Sequence, residues 1–306
     1  EEEVDAVVVD LRNNGGGSLS EANQLVGLFI ETGATVQIRY SGIRNGFTRP
    51  FGDNDPEVAY DGPLAVLVNR TSASASEIFA GAIQDYQRGI VLGGQTFGKG
   101  TVQEIIPMDY GQVKLTRSKF YRISGASTQH RGVIPDIEFP DFYNAYDDIG
   151  ESSLDGALPW DTVRPVEYRT YHAVQNLLPE LRSLHEERAS ASPDFIYLEG
   201  QIERTRELRE RETLSLNEAV VKQEREDNRR EEHEAENMRR ALKGLELREW
   251  VDEEGEDEED QTSTLLTDDI PTLAENDEDV IDEEEDDPLI LESGRILADF
   301  IALNHS

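Results

Sequence analysis

The chain has 306 residues, enough for two domains of ~150 residues each, and its 29 Lys and Arg against 65 Asp and Glu leave a formal net charge of −36. So acidic a chain lacks the basic footing that phosphate backbones or anionic lipids require. Cysteine is absent, which excludes disulfides, thiolate zinc sites and cysteine nucleophiles and fits cytosol and periplasm alike. The charge is unevenly spread: residues 252 to 287 hold 20 acidic residues and no Lys or Arg. No run approaches the ~20 apolar residues of a membrane span. The chain opens on Glu1-Glu2-Glu3 with neither Met nor an apolar leader, so it reads as the later part of a longer protein.

The first 140 or so residues alternate apolar runs, helical patterns and glycine-rich turns, the signature of an α/β layer. Ala6 to Val9 and Leu64 to Val68 are continuous apolar runs, as in strands covered on both faces. Gly15-Gly16-Gly17 closes the first run. Ser18 and Glu21 then have capping-box spacing, and Leu25, Val26, Leu28 and Phe29 mark a helix up to the turn at Thr32-Gly33. Residues 41 to 62 are polar and rich in Gly, Asp and Pro, and predict a surface excursion. A second helix carries Ile78, Phe79, Ala82, Ile83 and Tyr86, and strands follow at Ile90-Val91-Leu92, Val102 to Pro107 and Val113 to Tyr121. From 164 to 250 Glu, Arg, Leu and Gln in helical spacing predict a helical region, whose mixed charges at three- and four-residue steps read as solvated faces rather than nucleic-acid contacts. The acidic run predicts disorder. After Pro288, Leu289, Leu291, Ile296, Leu297, Phe300 and Ile301 predict a short amphipathic helix that docks back on the protein.

Chemistry points first to Asn69-Arg70-Thr71-Ser72-Ala73-Ser74-Ala75-Ser76-Glu77, between a buried strand and a helix. A serine at such a turn is exposed at the sheet edge, where a helix N-terminus offers free N–H groups to a developing oxyanion. A run of capping serines is the plainer alternative. A second segment, Gly93 to Thr101, sets Lys99 in a glycine-lined loop. Two readings of it stand. Gly93, Gly98 and Lys99 have the spacing of a phosphate-binding loop, but Gly100 stands where that motif needs Ser or Thr, and a strand rather than a helix follows. Alternatively Lys99 is a general base, desolvated so that it can take a proton from a serine. Among the five histidines only His130 falls in the α/β part, in a polar turn that predicts a solvated side chain. No HExxH and no close His pair points to a metal, and no cofactor is expected.

These segments together resemble a known family, the tail-specific, or C-terminal processing, serine peptidases of the Ser-Lys dyad type. The matching motifs are Asp10 to Gly17, Ser72 to Phe79, Gln84-Asp85-Tyr86, Thr96 to Gln103 and Gly132 to Asp136. The likeness continues through Ala157-Leu158-Pro159-Trp160-Asp161 into a region similar to the helical C-terminal domain of the long, proteobacterial branch. The resemblance implies a crotonase- or Clp-like α/β core, with Ser74 as nucleophile, Lys99 as base and Gln103 orienting the lysine. It implies an oxyanion hole from the Ala75 amide and one from Gly16 or Gly17. Asp85 matches a further functional position, yet eleven helical residues would carry it about 16 Å from Ser74, so a supporting role for a neighbouring element is expected. Glu77 and Thr96 are expected to support the dyad from behind, and Ser72 and Ser76 to serve as turn and capping residues.

The expected organisation is a protease core over 1–150, a helical domain over 151–250, a disordered acidic linker over 251–287 and a terminal helix over 288–306. The resemblance further implies protein substrates with exposed nonpolar C-terminal tails, a periplasmic location, and a helical domain that grips an adaptor lipoprotein or neighbouring subunits. The PDZ and N-terminal regions of that family have no counterpart upstream of Asp10, and the acidic run exceeds the family's usual linker. A catalytically silent scaffold and a nucleotide binder are the competing classes.

Overall fold

The computed structural model describes residues 4–40, 47–146, 148–171, 174–211, 213–250 and 287–304. The predicted disorder of 252 to 286 therefore lies outside the described residues, as do His172 and His305. Strands β1 (Val7–Asp10), β4 (Leu64–Val68), β5 (Ile90–Gly93) and β8 (Ile137–Glu138) form a parallel sheet in the order β1-β4-β5-β8. Side chains alternate along β4: Leu64, Val66 and Val68 enter one core while Ala65 and Leu67 enter another. On the first face lie helices α1 (Leu19–Gly27) and α2 (Ala75–Asp85), supplying Val26, Phe79 and Ile83. Two-sided burial explains why β4 reads as an unbroken apolar run.

The second face is covered from the far end of the chain. Helix α3 (Val174–Ala191) supplies Leu178 and Leu181, α4 (Pro193–Arg209) supplies Phe195, and α6 (Pro288–Asn304) supplies Ile296, Leu297 and Phe300 to the core that contains Ala65 and Leu67. The N-terminal sheet and the C-terminal helices thus share one hydrophobic core. Helix α5 (Glu218–Lys243) packs on α4 and ends at Gly244 in the left-handed conformation. Among the described residues, no helix is long and apolar enough to cross a membrane.

A second, antiparallel sheet has the order β3-β2-β7-β6, formed by β2 (Gly33–Tyr40), β3 (Thr48–Asp53), β6 (Thr101–Pro107) and β7 (Gln112–Tyr121). Val36, Ile38 and Phe120 pack from it onto Ile78 of α2. Part of the predicted surface excursion is therefore a strand. Pro50 and Gly52 make 48–53 look like a loop, but β3 is an edge strand, which tolerates proline. Gly52 is required there because a Cβ would fall 2.0 Å from the Gly33 carbonyl oxygen. The helical region also begins later than expected. Residues 163 to 171 form neither helix nor strand and hydrogen-bond to the core: Val163 N donates to Gly125 O, Val166 N to Ile123 O and Tyr171 N to Tyr86 O.

Candidate active site

The backbone turns from β4 into α2 at Ser74, whose φ of 57° and ψ of −109° lie outside the regions a non-glycine residue ordinarily occupies. Such strain persists only where the surroundings enforce it, and a strand-to-helix turn with a strained, half-buried serine is the geometry of a nucleophile elbow. The flanking serines hold the loop. Ser72 Oγ donates to Leu11 O at 2.7 Å and accepts from Asn69 N at 2.9 Å. Ser76 is not a helix cap as expected: its hydroxyl reaches across to Asn14, 2.9 Å from the carbonyl oxygen and 3.0 Å from Oδ1.

The glycine turn after β1 lies directly against this elbow. A Cβ on Gly16, whose φ is +93°, would stand 2.5 Å from Ala73 O, 2.7 Å from Ala75 N and 2.9 Å from Ser74 Cβ, so only glycine fits. Asparagines stitch the two loops. Ala73 N donates to Asn14 O at 3.0 Å, and Asn13 and Asn69 bond reciprocally through Asn13 N to Asn69 Oδ1 at 3.0 Å and Asn69 Nδ2 to Asn13 Oδ1 at 2.8 Å. Of the amides expected at the oxyanion hole, that of Gly16 is spent on Asn14 Oδ1 at 2.9 Å. The amides of Ala75, at the N-terminus of α2, and of Gly17 have no hydrogen-bond acceptor among the described residues.

The lysine loop is fastened to the elbow by one carboxylate. Glu77 is fully buried. Its Oε2 accepts from Ser74 N at 2.7 Å and Lys99 N at 2.9 Å, and its Oε1 from Gly98 N and from the Thr96 hydroxyl, both at 2.7 Å. A shared acceptor atom keeps the Ser74 and Lys99 backbone nitrogens within about 6 Å of each other. Burial drives the Glu77 carboxyl up to about 7 in spite of these four donors. All four point at the carboxylate, so a proton on it would displace at least one of them. Thr96, also fully buried, accepts from Val133 N at 2.7 Å.

Further contacts complete the loop's seat. Gly100 N donates to Gln129 Oε1 at 2.9 Å, Gln129 Nε2 to Glu151 Oε1 at 2.9 Å, and Arg70 Nη1 to Thr96 O at 3.1 Å. Amides of residues 98 to 100 are thus committed to protein side chains rather than gathered into an anion cradle, and β6 follows where a phosphate-binding loop needs a helix. The nucleotide reading of the segment is overturned on both counts. His130 is only half-exposed: its φ is 66°, its Nε2 is buried without a hydrogen-bond partner, and its backbone N donates to Gly98 O at 2.8 Å.

Ser74, Ala75, Gly16, Glu77, Thr96 and the half-buried Lys99 therefore gather around one turn. Gln103 stands exposed on β6, and its side chain has no hydrogen bond among the described residues. Asp85 closes α2 far from the elbow, bonded to Arg122 Nη2 at 2.5 Å and Ser124 Oγ at 3.0 Å, so it fixes the end of β7. Asn13, Asn14 and Asn69 have roles that sequence reasoning missed, although Asn beside a glycine turn is a residue that readily adopts the left-handed conformation. Gln129 and Glu151 carry no local signal. Among the described residues, no group of three or more His, Cys, Asp or Glu could hold a metal ion.

Known proteins share these segments. Residues 1–139 match peptidase family S41 and residues 144–302 match the C-terminal domain of tail specific protease. A tail-specific protease of Haemophilus influenzae is 41% identical over 235 residues, 73% of this chain and 33% of that protein. A carboxy-terminal-processing protease of Bartonella bacilliformis is 41% identical over 157 residues, 49% of this chain and 36% of that protein. Among solved structures, the photosystem II D1 C-terminal processing protease is 36% identical, with a TM-score of 0.39 over 44% of this chain and 35% of that one. The chain spans about a third of the length of these relatives.

Proposed function

Because the chain belongs to peptidase family S41 and carries the C-terminal domain of tail-specific proteases, we propose that it is a serine endopeptidase using a Ser74-Lys99 dyad on proteins marked by nonpolar C-terminal tails. Lys99 Nζ takes the proton of Ser74 Oγ, which attacks the scissile carbonyl carbon. The resulting oxyanion is held by the Ala75 and Gly17 amides, reinforced by the N-terminal dipole of α2. Collapse breaks the C–N bond, and Lys99 returns the proton to the leaving amine. Water, activated by the same lysine, then releases the acyl group and restores Ser74. The core is of crotonase- or Clp-like form in this reading, and the site of action is the periplasm.

The observation that carries the reading is the Glu77 carboxylate, which binds the backbone of the strained Ser74 and that of Lys99 with a single oxygen. We extend it to the helical region, whose exposed Leu214, Leu216, Met238 and Leu242 suit an adaptor lipoprotein or a neighbouring subunit. The test compares cleavage of one reporter protein with a nonpolar or a charged C-terminal tail. Ser74→Ala and Lys99→Ala are expected to abolish cleavage of the nonpolar-tailed reporter and leave the fold intact by circular dichroism. Cleavage that survives Ser74→Ala would overturn the dyad, and no cleavage by the unmodified protein would favour a silent scaffold.

A further inference from the structure

The loop after β1 meets the start of α6 at Arg12. This residue lies two positions after β1 and begins the loop that presents Gly16 and Gly17 to the elbow. Its Nη2 donates to Asp10 Oδ2 at 2.7 Å and to Asp287 Oδ2 at 2.6 Å, and its Nε lies 3.1 Å from both Asp10 oxygens. Burial alone would lower the Arg12 pKa, yet the two carboxylates hold the guanidinium above its ordinary value. Asp287 is at the same time the cap of α6: its Oδ1 accepts from Leu289 N at 2.8 Å and Ile290 N at 3.2 Å, and its carbonyl from Leu291 N at 3.0 Å. One carboxylate therefore faces two ways, one oxygen toward a helix N-terminus and the other toward the glycine loop.

The helix it caps is well anchored. Ile296, Leu297 and Phe300 of α6 are buried against Ala65 and Leu67 of β4, and Glu292 is buried in contact with Arg188 and His185 of α3. A docked α6 thus holds Asp287 in place, and Asp287 holds Arg12. From Arg12 the path to the reacting groups is short, because Leu11 O receives the Ser72 hydroxyl and Asn14 receives Ala73 N and the Ser76 hydroxyl. A planar guanidinium can grip two carboxylates at once, which an ammonium on a flexible stem cannot do with the same geometry.

Resting on the peptidase reading above, we infer that Asp287 is a positioning residue of the active site: docking of the C-terminal helix, through the Asp287–Arg12 ion pair, holds the glycine loop in the conformation that offers its amide to the oxyanion. The pair acts through Gly16 and Gly17 and touches no reacting atom.

The decisive variant is Asp287→Asn. Asparagine caps a helix as well as aspartate does, so α6 keeps its N-terminal bonds while the charge facing Arg12 is lost. In the intact protein, Ser74 is labelled with an alkyl fluorophosphonate, whose phosphoryl oxygen needs the oxyanion hole, and amide hydrogen exchange is followed over residues 13–17. Asp287→Asn should slow labelling and kcat by about tenfold or more with KM and melting temperature little changed, and should speed exchange in 13–17. Arg12→Lys should act in the same direction. Phe300→Ala, which loosens α6 in its core, should act in the same direction but with a fall in melting temperature that Asp287→Asn lacks. Labelling in Asp287→Asn within twofold of the unmodified protein, or exchange unchanged in 13–17, would each overturn the inference. Should the unmodified protein fail to label at Ser74, the peptidase reading fails, and exchange alone still decides whether Asp287 holds the loop.

Discussion

Charge is handled in opposite ways at Glu77 and along the exposed face of α5. Glu77 is fully buried, has no ion-pair partner among the described residues and is satisfied by three backbone amides and a hydroxyl drawn from the Ser74 and Lys99 loops. Along α5, Glu218 and Lys222, and Glu226 and Arg230, pair at one-turn spacing with side chains 43% to 80% exposed. The first arrangement costs desolvation and yields geometry, since removing it leaves four donors without an acceptor. The second keeps its hydration and specifies little. Position of a charge, more than number, separates Glu77 from the exposed pairs of α5.

The largest effects should come from breaking the buried arrangement. Glu77→Gln keeps the shape but turns an NH2 group toward two N–H or O–H donors, so the Ser74 and Lys99 loops should separate and kcat/KM fall by about 100-fold or more. The same substitution should flatten the pH profile. Glu77 ionises at about 7, and its ionised form is the one that binds all four donors, so activity should drop as pH falls through that value and Glu77→Gln should lose this acidic limb. A limb that persists in Glu77→Gln belongs to another group. Gly16→Ala, which forces a Cβ to within 2.7 Å of Ala75 N, should cost activity on a similar scale without a comparable fall in melting temperature.

A middle-sized effect tests a residue near the chemistry in sequence motif but not in space. Asp85 and Arg122 are 7% and 16% exposed at the side chain and bonded at 2.5 Å, so Asp85→Ala strands a largely buried guanidinium and should destabilise the fold by about 3 kcal/mol. Folded Asp85→Ala should keep its KM and most of its kcat; a selective collapse of kcat at unchanged melting temperature would show that Asp85 reaches the proposed dyad after all.

These cases also separate what sequence could reveal from what it could not. The elbow was legible because Ser74 stands where an apolar run meets a helical pattern, and the glycine turn because three successive glycines have few other uses. Glu77 could be placed one turn from Ser74 and no further: its bonds to residues 96, 98 and 99 depend on how β5 and its loop return beside α2. Strand β3 stayed hidden because its own composition opposes a strand and pairing with β2 overrides it. Gln103 was named by its motif match alone, and on β6 it stands exposed, without a side-chain hydrogen bond to a described residue.

The smallest expected effect lies on α5. Arg230 Nη2 is 2.9 Å from Glu226 Oε1, and the two side chains are 55% and 43% exposed. Solvent screens such a pair, and holding two long side chains together costs rotamer entropy that offsets most of the attraction. Arg230→Ala should therefore change stability by less than about 0.5 kcal/mol and leave proteolysis of a tailed reporter untouched. The guanidinium also lies over the Trp250 ring, 5.9 Å from its centre, a distance at which an exposed cation–π contact contributes little. Substrate cleavage that fell sharply in Arg230→Ala at unchanged melting temperature would mean that this face of α5 engages a partner or substrate, and the contrast with Glu77 would then be one of two functional surfaces rather than of a site and its solvated extension.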